Sequence, residues 1–260
     1  MSTTLYKGNP IFFILLSMLL FAACDKRQNI PTPLLLPLVE KSEIKYVSYV
    51  TDSLKQIQHQ LEYLPRYFSR TDSSGREKVH YYIENNRLNS YREDADGTLT
   101  ARVHLDLAGF AQAAGFPYRE PSPFSYQRVI FKKQQRFRTT WSVQADTQFV
   151  ALDAQGQSHT LEFGHRGFAR LKGWADVTVP ASHNEKLRTL NVQWPRLYNY
   201  LYDRTAGDTL WSQNGDGNEY FEPRFGLARV AGNYTVRKKG AAPVYCMSTM
   251  DLYLMIIPGQ

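Results

Sequence analysis

The chain has 260 residues, 43% of them apolar and 13% aromatic, with 17 Tyr, 14 Phe and 4 Trp. That composition excludes a disordered polymer, because such a chain buries enough apolar surface to offset its conformational entropy. Two cysteines, Cys24 and Cys246, are too few for a disulfide framework, and the formal net charge of +7 is scattered without a long basic run.

In chain order, Lys7 leads into an apolar run from Ile11 to Ala23. The run is too short to cross a bilayer as a helix, which takes about 20 residues. Phe21-Ala22-Ala23 then sets small residues directly before Cys24. A basic start, an apolar middle and a small-residue cleavage site make a secretion signal. The cysteine at the cut resembles the lipobox of bacterial lipoproteins, with Phe21 where Leu is usual. The resemblance covers the N-terminus alone. It implies that Cys24 becomes the first residue of the mature chain and carries palmitate-type acyl chains. These would anchor the protein to the cell envelope, by default at the outer membrane. Cleavage without lipidation is the alternative.

Asp25 to Pro37 holds Pro31, Pro33 and Pro37 and reads as a semi-rigid tether. The chain thus divides into a signal peptide (1–23), a lipidated cysteine with its tether (24–38) and one β-rich domain (39–260). Export argues against nucleic acid as a partner. The densest basic groups are Lys132-Lys133 with Arg136 and Arg138, and Arg237-Lys238-Lys239. They read as solvated strand ends, or as contacts for lipid headgroups or acidic polysaccharide.

Leu54, Ile57, Leu61 and Leu64 recur at three- and four-residue steps and predict a helix capped by Thr51, Asp52 and Ser53 and ended by Pro65. A second short helix is expected around 107–114. Most of the remainder reads as strands. Leu99, Ala101, Val103, Leu105 and Leu107 alternate onto one face. Gln148–Leu152 and His159–Phe163 flank a turn at Asp153-Ala154-Gln155-Gly156. Leu190, Val192 and Trp194 share a face, and Tyr198, Tyr200 and Tyr202 share another. Further turns are expected at Asp72–Gly75, Asp94–Gly97 and Ala206–Asp208, and a last, central strand at Leu252–Ile257. The fold class is mainly β: an antiparallel sandwich or barrel with one short N-terminal helix.

No Gly-x-Ser-x-Gly elbow and no His-Glu-x-x-His are present. Cys246, in an apolar setting, reads as an inert buried thiol. His159 and His165 would lie about 20 Å apart on a straight strand and read as surface histidines, while His104 and Asp106 can pair on one strand face. Asn214, Asp216 and Asn218 alternate as oxygen donors do in calcium loops. Glu219 at the sixth position and Phe225 at the twelfth exclude an EF-hand. A looser calcium site completed by Glu222 stays open beside a polar hairpin turn. Glu93, Asp94 and Asp96, like Glu219 and Glu222, read as solvated turn acids rather than as a glycosidase pair.

Trp194, Tyr198, Tyr200, Tyr202 and Trp211 are candidate ligand-binding residues, with burial in the core as the other reading. No catalytic residue is assigned and no cofactor, calcium aside, is expected. The leading functional expectation is a non-catalytic envelope module that binds a protein or assembly. A glycan- or lipid-binding lipoprotein is the alternative, and a hydrolase of envelope polymers comes third.

Overall fold

The computed structural model describes residues 43–51, 57–75, 77–84, 87–105, 107–119, 124–132, 140–222 and 226–256. The signal segment, Cys24, the tether, Asp106 and most of the Lys132–Arg138 basic group lie outside them. The first seven strands are β1 (Glu43–Thr51), β2 (Ile57–Ser74), β3 (Glu77–Glu84), β4 (Arg87–Glu93), β5 (Leu99–Leu105), β6 (Tyr118–Arg119) and β7 (Phe124–Phe131). The next six are β8 (Thr140–Leu152), β9 (Ser158–Val177), β10 (Leu187–Asp203), β11 (Asp208–Glu222), β12 (Gly226–Lys238) and β13 (Val244–Ile256). They form one antiparallel sheet in the order β6-β8-β9-β10-β11-β12-β13-β1-β2-β3-β4-β5-β7.

The sheet is therefore two meanders sewn together where β13 pairs β1. It does not close into a barrel among the described residues. Instead its halves pack face to face as a sandwich. Ile44, Tyr82, Tyr91, Leu99 and Ala101 of the first half share one core with Trp141, Leu171, Leu190, Val192, Trp194 and Leu252 of the second. At the open side Trp141 Nε1 donates to the Val129 carbonyl at 2.9 Å. Each large apolar side chain so buried contributes roughly 1.5–3 kcal/mol.

The turns are where glycine and aspartate placed them. Gly75, Gly97, Gly156 and Gly207 all take positive φ between consecutive strands. Asp153 Oδ1 also accepts from the backbone N–H groups of Gln155 and Gln157 at 2.9 and 2.8 Å. The helix α1 (Leu107–Ala113) follows β5 and tucks Leu107 and Ala111 against a second apolar cluster with Phe149, Leu161, Phe163 and Leu201.

Of the helix expected over Leu54–Leu64, the part from Ile57 onward is instead the start of β2, and Leu54, Asp52 and Ser53 lie outside the described residues. Its spacing has a different cause. Between Tyr46 and Ser48 the register slips, so that Ser48 faces Leu61 and Tyr46 faces Leu64. Three residues of β2 then match two of β1, which turns a three-residue step into a sheet repeat. Pro65 lies inside β2, but in a stretch that β3 does not reach, since that pairing begins at Tyr67. Among the described residues the α-helix is α1, in mid-chain.

Candidate functional site

The two apolar clusters are separated on the inner face of the sandwich by a polar belt, visible strand by strand. Along β9, Leu161 and Phe163 give way to His165 and Gly167 before Ala169 and Leu171. Along β11, Gln213, Gly215, Gly217 and Glu219 separate Leu210 from Phe221. Along β7, Tyr126 and Arg128 stand between Phe124 and Ile130. Strand β7 crosses the opposite wall residue by residue. Phe124 meets Phe163, Tyr126 meets His165 at 5.2 Å between centroids, and the Arg128 guanidinium lies 5.2 Å from the Trp194 ring centroid.

Arg128 Nη1 bonds Glu219 Oε1 at 2.8 Å, and only 6% of the Glu219 side chain is exposed. Burial opposes the Arg128 charge, but Glu219 and the phenols of Tyr126 and Tyr91 outweigh it and hold the guanidinium protonated. Beside this pair, Tyr234 lies across Gly215 and Gly232, where any Cβ would collide with its ring. The Asn-Gly-Asp-Gly segment is thus not the hairpin turn that its composition suggests. It runs through the middle of β11, where the missing side chain of Gly215, with that of Gly232 on β12, admits the Tyr234 ring.

His165 is 8% exposed, not a surface residue. Its Nδ1 pairs with Asn199 Oδ1 at 2.6 Å, and Asn199 Nδ2 donates to Gln213 Oε1 at 3.0 Å. That chain places the proton on Nδ1 and leaves Nε2 as an acceptor. His159 is also sheltered, between Asp203 at 2.7 Å and Asp153 at 3.5 Å. His165 is held by an amide rather than by a hydroxyl or thiol, which suits binding more than activation of a nucleophile.

Burial lowers the pKa of His165, and Arg128 adds to the effect against the Asn199 bond. Burial and Lys78 likewise lower His80. Both rings take up a proton less readily folded than unfolded. Their stabilisation is complete above the unfolded value of about 6.5 and shrinks as pH falls below it. Unfolding free energy from urea titration is therefore expected to fall between about pH 7 and pH 5.5, by at most about 1.4 kcal/mol per pH unit per ring. The double variant His80→Gln/His165→Gln is expected to flatten that drop, and an unchanged slope would refute the assignment.

The aromatic set splits between faces. Trp194 is 1% exposed in the inner core, and Trp211 packs on Phe110 of α1. A bulge between Trp194 and Leu197, at Pro195, then inverts the phase of β10. Tyr198, Tyr200 and Tyr202 therefore point outward. Tyr198 is 36% exposed and stacks on Tyr200 at 5.6 Å. Tyr200 leans over Gly164, where a Cβ would meet its ring. Its hydroxyl donates to Glu162 Oε1 at 2.7 Å, with Asp146 Oδ1 close by at 3.2 Å. Arg166 caps the ring at 5.5 Å, and Arg204 pairs with Glu162. Burial, then the Glu162 bond, push the Tyr200 hydroxyl well above the ordinary phenol range, so it remains a donor.

Asn214, Asp216 and Asn218 share the outer face of β11, spaced about 7 Å apart along the strand. Asp216 accepts from Asn233 at 3.0 Å. Glu222, at the far end, is buried. No cluster of three His, Cys, Asp or Glu ligands occurs among the described residues. Glu219 is not a turn acid but 4% exposed in mid-sheet. Cys246 is half-buried, and burial raises its pKa. Sequence reasoning missed Arg128, His165 and Glu219 as a group. Its one available signal was a glutamate on the same alternating face as Gly215, Gly217 and Phe221.

No protein-family model matches the chain, and no curated protein matches it. Among solved structures, a candidate lipoprotein from Parabacteroides distasonis is similar, with 11% identity and a TM-score of 0.43 over 85% of this chain and 97% of that one.

Proposed function

We propose that this protein is a lipid-anchored component of the bacterial envelope whose β domain is a non-catalytic interaction module. In this reading Cys24 holds the chain at the membrane, by default the outer one, and the outer tyrosine face docks an envelope protein. The observation that carries it is the Tyr198–Tyr200–Arg166 group. Tyrosine and arginine are the residue types that dominate binding energy at protein interfaces. Here Tyr200 is already fixed by the Glu162 carboxylate, so little side-chain entropy is left to lose on docking. Acyl chains on Cys24 would add about 0.8 kcal/mol per buried CH2, enough for stable anchoring with two or more chains.

The test is crosslinking in intact cells through a photoreactive residue at position 198 or at 166. A single envelope protein is expected at both positions and is expected to vanish, with the melt unchanged, when Tyr200→Ala is added. Cys24→Ala is expected to move the protein out of the membrane fraction. Retained glycan or lipid without any protein adduct would overturn the docking reading. A Cys24→Ala protein that stays firmly in the membrane would overturn the anchor.

A further inference from the structure

We propose that the inner belt is a binding site for a small neutral molecule rich in hydroxyl groups, of the chemistry of a monosaccharide. The inference is independent of the outer face and rests on polar atoms that are buried and unmatched. Arg128 Nε, Trp194 Nε1, Glu219 Oε2 and His165 Nε2 have no hydrogen-bond partner among the described residues. Buried polar groups are almost always partnered, because an orphan costs about 1–3 kcal/mol. Four of them along one belt, on Glu219 at 4%, Trp194 at 1% and His165 at 8% exposure with Arg128 over the Trp194 ring, describe a set of groups prepared for a ligand.

The set also describes the ligand. Arg128 Nε and Trp194 Nε1 only donate, whereas Glu219 Oε2 and the free nitrogen of His165 only accept. A hydroxyl group does both, so a ring bearing several satisfies all four without a change of protonation. Net charge is disfavoured, because Arg128 and Glu219 already neutralise each other at 2.8 Å and an added buried charge would stand unpaired. The flanking surfaces are aromatic. Tyr126, Trp194 and Tyr234 border the belt and supply aromatic surface of the kind that sugar C–H groups pack against. Arg128 retains 23% of its side-chain exposure, which opens the belt to solvent at that end.

The experiment uses full-length protein in detergent micelles, with glucose and N-acetylglucosamine as probes. Melting temperature and tryptophan fluorescence are followed against probe concentration. At least one sugar is expected to raise the melting temperature of the unaltered protein in a saturable way. Trp194→Phe keeps an aromatic ring but removes the N–H, and is expected to weaken apparent affinity about tenfold or more. Should it fail to fold, Glu219→Gln, which removes one acceptor, serves in its place with the same expectation. Tyr198→Ala, on the outer face, is expected to bind the sugar unchanged. No response to either sugar, or equal affinity in the inner-face variant, would overturn the proposal. Loss of binding in Tyr198→Ala alone would overturn it too, by moving the site to the outer face.

Discussion

A chain ended at Pro243 is expected to lose its cooperative unfolding transition altogether. Strand β13 is the seam of the fold. It pairs with β12 from Val244↔Val236 to Asp251↔Arg229, and with β1 from Met247↔Thr51 to Ile256↔Glu43. Without it the two meanders are no longer one sheet, and two long edges face water. Leu252, 1% exposed, leaves a void in the shared core, a loss of about 2–5 kcal/mol by analogy with truncation to alanine. Asp251 also leaves Arg229, which it grips through Nε at 2.5 Å and Nη2 at 2.9 Å while Nη2 also donates to the Thr178 carbonyl. Burial opposes the Arg229 charge, and that grip outweighs it. These losses are comparable with the whole stability of a domain, about 5–15 kcal/mol. Circular dichroism during a thermal scan checks this, and a sharp sigmoidal melt from the truncated chain would refute it.

Glu219→Ala is expected to destabilise the domain by about 3–5 kcal/mol. The variant leaves the Arg128 guanidinium between Trp194 and Tyr126 with its carboxylate gone. An unpaired charge in that belt costs more than the pair itself contributes, because desolvation remains while the compensating attraction is lost. The double variant Arg128→Met/Glu219→Leu removes both charges and keeps the volume, and is expected to recover most of the loss. Urea unfolding of the parent, both single variants and the double variant gives the coupling directly. Equal destabilisation by the single and the double variants would show that packing, not charge, is what Glu219 supplies.

The belt explains why its residues escaped a reading by pattern. On a strand, glutamate and histidine at alternating positions read as solvent-facing, and Asn-Gly-Asp-Gly reads as a turn. Both rules assume that one face of the sheet is wet. Here the sheet folds over on itself, so the face bearing His165, Gly215, Gly217 and Glu219 is covered by β7, from a segment far away in the chain. That Tyr198, Tyr200 and Tyr202 share a face was legible, but which face they take was left open until the register of β10 showed it. Their alternation is local, and Pro195 marks the bulge that sends Trp194 inward and Tyr198 outward.

What the sequence determined alone was local: the glycine and aspartate turns, the alternating strands, the short helix at Leu107 and hence the β class. Each follows from neighbours a few residues apart, through steric limits on φ, the two-residue pleat and short-range hydrogen bonds. Tertiary structure decided the rest. The Ile57–Leu64 part of the expected helix became strand because pairing with β1 and its slipped register outweighed helical spacing. The meeting of Arg128 with Glu219, 91 positions on, and of β13 with β1 depends on which face of a long twisted sheet is folded inward. That choice is set by burial summed over both meanders, which no local window of the chain contains.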